Sequence, residues 1–543
     1  MKEIEEEVNT ILTSGTFSSE TTYESILAFI EKGSRHESET SYFKRRKEVV
    51  ALGLYLQWRR DDASAFKLFK NLVWDICGEY SWSLPAHFKE GYHETTIDLF
   101  AAETAHMLAE FIDIFADDFE PLLLGEIKKQ IWRRVLTPFL EMDWAWEKLE
   151  NNWSSVCAGA IGMTALVLDV NQKEKELILN RCLAAMDCFL AGYGDDGCCT
   201  EGVSYWVYGF GYFVYFAEVY ERYIGSDLLV GEKLTAIASF PGKLQDKSGR
   251  FVMFSDASSK TQVPSGMSAF LSEKFNIPSF HGNQITSFNF DHCYRWAHLS
   301  RNLAWSKVNV NAIFEDNDIQ HYFLDAQWLI FKNSDLFFAA KGGNNNESHN
   351  HNDLGSFVFG IGENLTLVEF GAGAYSADYF SDKRYTYIQT RSNWHSVPTL
   401  NEQEQQAGAG YYAMVEKVEM NENGCQFDLN LSEAYPAKGT LMRRFYLDAM
   451  LKQLRLVDET DAKNYQANFV TYEKPIIKTG KAMWQQLQLS YDPDLFEIDL
   501  ESAVATNHFN QEEAVYALRL KANTVKENTK YEFIFTGVSD DDK

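Results

Sequence analysis

Basic residues are scarce in this chain: 50 Lys and Arg stand against 78 Asp and Glu, a formal net charge of −28 at pH 7. That balance excludes a nucleic-acid coat, which needs clustered cations against phosphates. It leaves room for an anionic sugar, because a local basic cleft can sit inside an acidic protein. Long apolar runs are missing as well, so no segment reads as a bilayer span and no membrane partner is expected. The start, Met1-Lys2-Glu3-Ile4-Glu5-Glu6-Glu7, lacks the basic and then apolar regions of a secretory signal. The expectation is a cytoplasmic protein, or a periplasmic or secreted one if the N-terminus is trimmed. The eight cysteines form no CxxC pair and no regular framework, which suits reduced, mostly buried thiols. The adjacent Cys198 and Cys199 read as packing residues.

What is present fits a folded protein: 45% of residues are hydrophobic and 15% aromatic. At 543 residues the chain exceeds the size at which single cores stop growing, so two or three domains are expected. Apolar residues recur at three and four up to about residue 305, as in Thr96–Leu108, and further helices are expected around 126–142, 154–170, 173–191 and 205–223. Many similar helices in series imply paired packing, an (α/α) solenoid or toroid. After about residue 306 short alternating runs take over, such as Ala326–Phe331, Ser356–Gly360, Leu365–Phe370 and Arg443–Leu447, at sandwich-like spacing. The expected fold class is α+β multidomain, an N-terminal (α/α) toroid over 1–305 followed by a C-terminal antiparallel β-sandwich over 306–543. The linker is placed near 300–315, and the cleft between the domains is the default ligand site.

The densest chemistry lies in Ser348-His349-Asn350-His351-Asn352-Asp353-Leu354-Gly355-Ser356-Phe357. On a β-strand His349, His351 and Asp353 would share one face. Two such imidazoles can ligate one metal ion, or divide metal binding and proton transfer between them. Glu369 ends an apolar strand, and His395 adds a third imidazole. His351, Glu369 and His395 then make a two-His, one-carboxylate set that suits Zn²⁺ and is compatible with Fe²⁺ or Mn²⁺. In the helical half, Asn151-Asn152-Trp153 precedes the small-residue run Cys157–Gly162. An amide there can donate hydrogen bonds to a carboxylate without adding charge, or simply cap a helix. Tyr205, Tyr208 and Tyr212 recur at three and four, as a core stripe or as a sugar platform with proton-transfer capacity.

His349–Phe357, Glu369-Phe370-Gly371-Ala372-Gly373 and His395 followed by Asn401-Glu402-Gln403 together resemble the β-sandwich half of the heparinase II/III-like polysaccharide lyases. Upstream, Asn151-Asn152-Trp153, the Glu201–Gly209 segment, Phe254-Ser255-Asp256 and Ile76–His87 look like elements of their toroid half. The resemblance covers roughly residues 70–410. It implies cleavage of a glycosidic bond beside a uronic acid by β-elimination, with a heparin/heparan-type glycosaminoglycan as the first expected substrate and an alginate-type oligouronide as the rival. By the same resemblance Asn152 neutralises the uronate carboxyl group, Tyr208 serves the leaving group, and His349 acts as base or supports the carboxylate. Trp153 stands where some members place a histidine. Trp82, His87, Trp153, Glu201, Tyr205, Arg384 and Arg391 are the expected substrate-binding residues, with Lys383 adding to the basic set. His351, Glu369 and His395 match a structural zinc site whose middle ligand is usually Asp, so Glu369 is one methylene longer. Asp353 drops out of that ligand set. The expected partner is an anionic uronate-containing oligosaccharide or polysaccharide, with pairing into a homodimer left open. Two competing expectations are a sugar-binding relative without catalysis and a metal-dependent hydrolase using His351, Glu369 and His395.

Overall fold

The computed structural model describes residues 1–14, 22–258, 260–280, 285–306, 318–436, 439–523 and 529–538. The chain forms two compact units. The first comprises Met1–Tyr193, Tyr205–Leu234 and Gln262–Ile313; the second comprises Gly194–Ser204, Thr235–Thr261 and Phe314–Lys543. A single cut at 305/306 therefore misassigns two short segments, which leave the helical part of the sequence to pack with the strands. Most of the expected linker, 307–315, lies outside the described residues.

The first unit is helical and centres on the helix Asn152–Val167, which the Asn151 side chain caps by accepting from the Trp153 amide. Cys157–Gly162 is buried throughout, so this helix is enclosed on all sides rather than amphipathic. It packs against Leu99–Phe115, Gln172–Ala191 and Gly211–Ile224. Small residues set how closely: a Cβ on Gly162 would lie 2.4 Å from the Phe216 ring of the last of these. The helices expected around 154–170 and 173–191 are present, whereas the two others are interrupted. Trp132–Leu136 and Trp206–Phe210 are π-helical turns inserted between α-helical segments.

The second unit is an antiparallel β-structure. A five-stranded sheet runs in chain order through Ile319–Phe323, Trp328–Lys332, Leu336–Lys341, Phe357–Ile361 and Asn364–Leu367. Eight- and four-stranded sheets carry the later strands. Aromatic side chains join them: the Phe357 ring lies 5.3 Å from Phe445 of the strand Leu441–Asp448, 6.2 Å from Phe469 and 5.8 Å from Phe535. One charged group is built into this core. Arg443, wholly buried, pairs with Asp458 at 2.7 Å and donates to the carbonyls of Gly355 at 2.9 Å and Ser396 at 2.7 Å. A single guanidinium thus ties down the loop that follows His349 and the loop that follows His395.

All eight cysteines are free, seven of them buried. Among the described residues no helix is long and apolar enough to cross a membrane.

Candidate active site and metal centre

In the helical unit the π turn Trp206–Phe210 places Tyr208. Such turns shift the side-chain period and recur at functional sites. Here the turn divides the expected tyrosine stripe. Tyr212 is fully buried core, Tyr205 ends a short helical segment half-buried, and Tyr208 is left half-buried. The Tyr208 hydroxyl donates to Glu103 Oε1 at 2.7 Å, and the Arg295 guanidinium lies 4.0 Å from the centre of its ring. Arg295 also donates to Glu103 at 3.1 Å and to Asp291 at 2.7 Å. Burial, with Asp291 adding to it, pushes the Glu103 carboxyl up to about 7 against the pull of Arg295 and Tyr208. Burial, reinforced by Glu103, holds the Tyr208 phenol well above its ordinary value despite the opposing Arg295 charge.

Asn152 lies against the same turn. A Cβ on Gly209 would sit 3.1 Å from Asn152 Cβ, so any larger residue would press the two apart by a few tenths of an ångström, and Ser155 fixes the approach by donating to the Gly209 carbonyl at 2.7 Å. Asn152 is 3% exposed and its Oδ1 has no hydrogen-bond partner among the described residues. His87 donates from Nδ1 to Asp98 at 2.8 Å, with its ring 4.9 Å from the half-buried Trp153 and 6.2 Å from Phe100, over which Arg295 also lies. Asn152, Trp153, His87, Tyr208, Glu103 and Arg295 are therefore one connected group.

Trp82 does not belong to it. It is 1% exposed, its indole N–H donates to the Ile76 carbonyl at 2.8 Å, and Arg134 lies over its ring, so it is a core residue and not a sugar platform.

In the second unit the segment from His349 is not a strand. His349 takes φ +57 and Gly355 φ +82, a series of turns, and extended backbone begins only at Phe357. Two-residue alternation is thus not what sorts these side chains. His349 Nδ1 lies 2.9 Å from Asp256 Oδ2 and His351 Nε2 lies 3.0 Å from Asp256 Oδ1. A carboxylate accepts and cannot donate, so both nitrogens carry the proton. Asp256 is itself placed by local geometry: Ser255 takes φ +58 and donates its hydroxyl to the Thr200 carbonyl at 2.6 Å, while Ala257 accepts the Ala372 amide. Burial would raise the Asp256 carboxyl, yet Arg384 and the two imidazoles hold it well below the usual carboxylate range. Glu201, buried, has a carboxylate oxygen 3.7 Å from His349 Nε2.

His351, Asp353, Glu369 and His395 offer ligand atoms that all lie within 4.8 Å of one another, and all four residues are buried. Asp353 therefore rejoins the group from which the sequence reading dropped it. The turns, not a strand face, bring it there, and buried Lys341 offsets its charge at 2.8 Å. Among the described residues, the His351 Nδ1 and His395 Nε2 atoms are buried without hydrogen-bond partners, a cost that ligation would remove. Glu369 accepts from His395 Nδ1 and from the Ser356 hydroxyl. Two imidazoles and two carboxylates at this spacing fit a divalent cation.

The basic residues are already engaged. Arg384 donates to Asp256 at 3.0 Å and to the Asn350 carbonyl at 3.1 Å, Arg391 pairs with Glu404, and Lys383 pairs with Asp378 at the surface. Arg384, Arg391 and His349 line a cavity of about 1040 Å³, whose other walls include Glu347, Glu402 and Glu404.

Sequence reasoning missed Glu103, Arg295 and the role of Asp256. Asp256 sits in a segment already singled out. Glu103 carried a weaker signal, the one carboxylate in the mostly apolar run Leu99–Leu108.

Residues 317–522 match the family described as Heparinase II/III-like, C-terminal. No curated protein sequence matches the chain in direct comparison. Similar solved structures include a heparan sulfate lyase, HepC, from Pedobacter heparinus, with 13% identity, 99% of this chain and 83% of that chain covered, and a TM-score of 0.64. A heparinase III has 13% identity, 93% and 78% coverage and a TM-score of 0.68. A chondroitin AC lyase from Streptomyces coelicolor A3 has 8% identity, 95% and 79% coverage and a TM-score of 0.56. These likenesses carry the fold, a helical toroid class followed by an antiparallel β-sandwich, as the sequence pattern leads one to expect. Over residues 317–522 the chain carries the C-terminal domain of the heparinase II/III-like proteins.

Proposed function

We propose that the protein is a polysaccharide lyase that cleaves a uronic-acid-containing glycan by β-elimination, leaving an unsaturated uronide. The observation that carries this reading is the group around Tyr208: a half-buried phenol fixed by Glu103 and Arg295, with the Asn152 amide packed against the same turn. The reaction asks for that combination. The C5–H and C4–O4 bonds break, a C4–C5 double bond forms, O4 takes a proton, and no water is consumed. Asn152 donates from its amide to the uronate carboxyl group, which lowers the cost of charge building up there. Tyr208 delivers its proton to O4 and, for one C5 epimer, receives the C5 proton. Arg295 over the ring stabilises the phenolate between those events. For His349 the family resemblance supports the role of base or carboxylate support. A divalent cation, with zinc favoured by the pair of imidazoles, would be held by His351, Asp353, Glu369 and His395 and would act as a structural crosslink.

The first substrate reading is a heparin/heparan-type glycosaminoglycan. An alginate-type oligouronide stands second, supported by one observation: Arg384 and Arg391 are each bound by a carboxylate of the chain itself, leaving them poorly placed to hold sulfate. Incubation with heparan sulfate, hyaluronan, chondroitin sulfate and alginate, followed by ultraviolet absorbance of the unsaturated product, tests the function. The expected result is absorbance with at least one substrate and a loss of at least about 10²-fold in Tyr208→Phe, the scale of a positioned acid–base group. Silence across all four substrates refutes the reading.

A further inference from the structure

We propose that Asp256 is a positioning residue that fixes the tautomer and orientation of His349 and, through its other oxygen, of the metal-site residue His351. The inference rests on the lyase reading only for the role it gives His349.

Five donors converge on this one buried carboxylate. Oδ1 accepts from His351 Nε2 at 3.0 Å and the Tyr379 hydroxyl at 2.8 Å. Oδ2 accepts from His349 Nδ1 at 2.9 Å, the Tyr375 hydroxyl at 3.2 Å and Arg384 at 3.0 Å. Tyr379 is fully buried and Arg384 is anchored a second time on the Asn350 carbonyl, so the carboxylate cannot turn without breaking several bonds together. With its proton held on Nδ1, the His349 ring has its lone pair on Nε2, the arrangement a base requires. With its proton held on Nε2, His351 has its lone pair on Nδ1, the buried atom without a hydrogen-bond partner among the described residues. One carboxylate therefore prepares one imidazole for proton transfer and the other for a cation. Partners of this kind orient metal-ligating histidines generally; here the same group also serves a histidine outside the metal set. His349 needs such support because its own backbone, at φ +57, belongs to a turn and not to a strand that would hold it.

The experiment is nitrogen-15 spectroscopy of histidine rings in the full-length protein, with His349 assigned from the signal lost in His349→Gln. It is combined with steady-state kinetics and zinc binding for wild type and Asp256→Asn. Three results are expected: wild-type His349 as the Nδ1–H tautomer, loss of that signature in Asp256→Asn, and zinc affinity reduced about 10–100-fold. In the same variant kcat should fall about 10–100-fold with KM within about threefold, since the contact acts on chemistry and not on ground-state binding. A purely structural role would lower the unfolding midpoint while leaving tautomer and kcat in place, and that result overturns the proposal. So does a wild-type His349 protonated on Nε2. If Asp256→Asn fails to fold, the wild-type spectrum decides alone. If the wild type cleaves no uronate glycan, the lyase reading falls, while tautomer and zinc affinity still judge Asp256.

Discussion

Glu103 shows how much one buried side chain can impose. Its carboxyl holds a proton in the folded protein up to about pH 7, whereas the unfolded chain releases it near the ordinary value of 4.5. Folding therefore takes up a proton between these values, so this group's effect on stability becomes less favourable as pH rises through the window and is constant above it. A rise from 4.5 to about 7 corresponds to roughly 3 kcal/mol. Glu103→Gln removes the titration. The difference in thermal midpoint, variant minus wild type, is expected to move upward between about pH 5 and about pH 7 and then level off. A difference independent of pH would mean that Glu103 ionises normally.

The same residue marks the limit of what the chain reveals before folding. Tyr208, Asn152, His351, Glu369 and His395 could be named as candidates from the sequence because each sits in a local pattern with chemical meaning. Glu103 and Arg295 could not, because their meeting at Tyr208, one at the hydroxyl and the other over the ring, joins positions far apart in sequence. Trp82 was expected at the substrate only through the family resemblance of Ile76–His87, and a resemblance does not show that its N–H donates to the Ile76 carbonyl inside the core.

At the scale of elements, the site depends on departures from regular structure. Helices and strands were read from their periods, but the candidate side chains occupy a π turn, a left-handed histidine and loops tethered by Arg443. Periodicity is silent about such places, which is why a strand face was expected at His349–Asp353 and turns were found. Close approach of elements is equally invisible. Gly209 admits the Asn152–Val167 helix, and a Cβ there would meet Asn152 Cα at 3.2 Å and the Phe189 ring at 3.0 Å. Gly209→Ala is expected to destabilise by about 1–3 kcal/mol through overpacking. It should also slow catalysis, because relief of the clash displaces Asn152 from the Tyr208 turn. The control is Gly125→Ala, in the helix Pro121–Ile131 with nothing within 4 Å of the added carbon. There a stabilisation of about 0.5–1 kcal/mol is expected from helix propensity alone. Urea unfolding and initial rates on the two variants separate these cases; equal effects at both positions would remove the packing argument.

Over the whole molecule the decisive quantity is charge. With a net charge of −28, the protein would repel the anionic glycan proposed as its substrate at long range, unless a basic surface near the site reverses the field. The sequence suggested such a surface in Lys383, Arg384 and Arg391. Folding spends it instead: Asp378, Asp256 and Glu404 each take one of these cations, and Glu347 and Glu402 line the same cavity as the two arginines. Salt should therefore assist encounter. Raising ionic strength from about 0.01 M to about 0.15 M shortens the screening length from about 30 Å to about 8 Å. kcat/KM is expected to rise across that range while kcat, measured at saturation, stays level, because screening acts on approach and not on the bound complex. Binders that recognise anions through exposed Lys and Arg lose affinity with salt. A fall in kcat/KM would thus locate a cationic recognition surface away from Arg384 and Arg391. A rise would identify short-range hydrogen bonding, from Asn152 and its neighbours, as the source of substrate selection in an acidic protein.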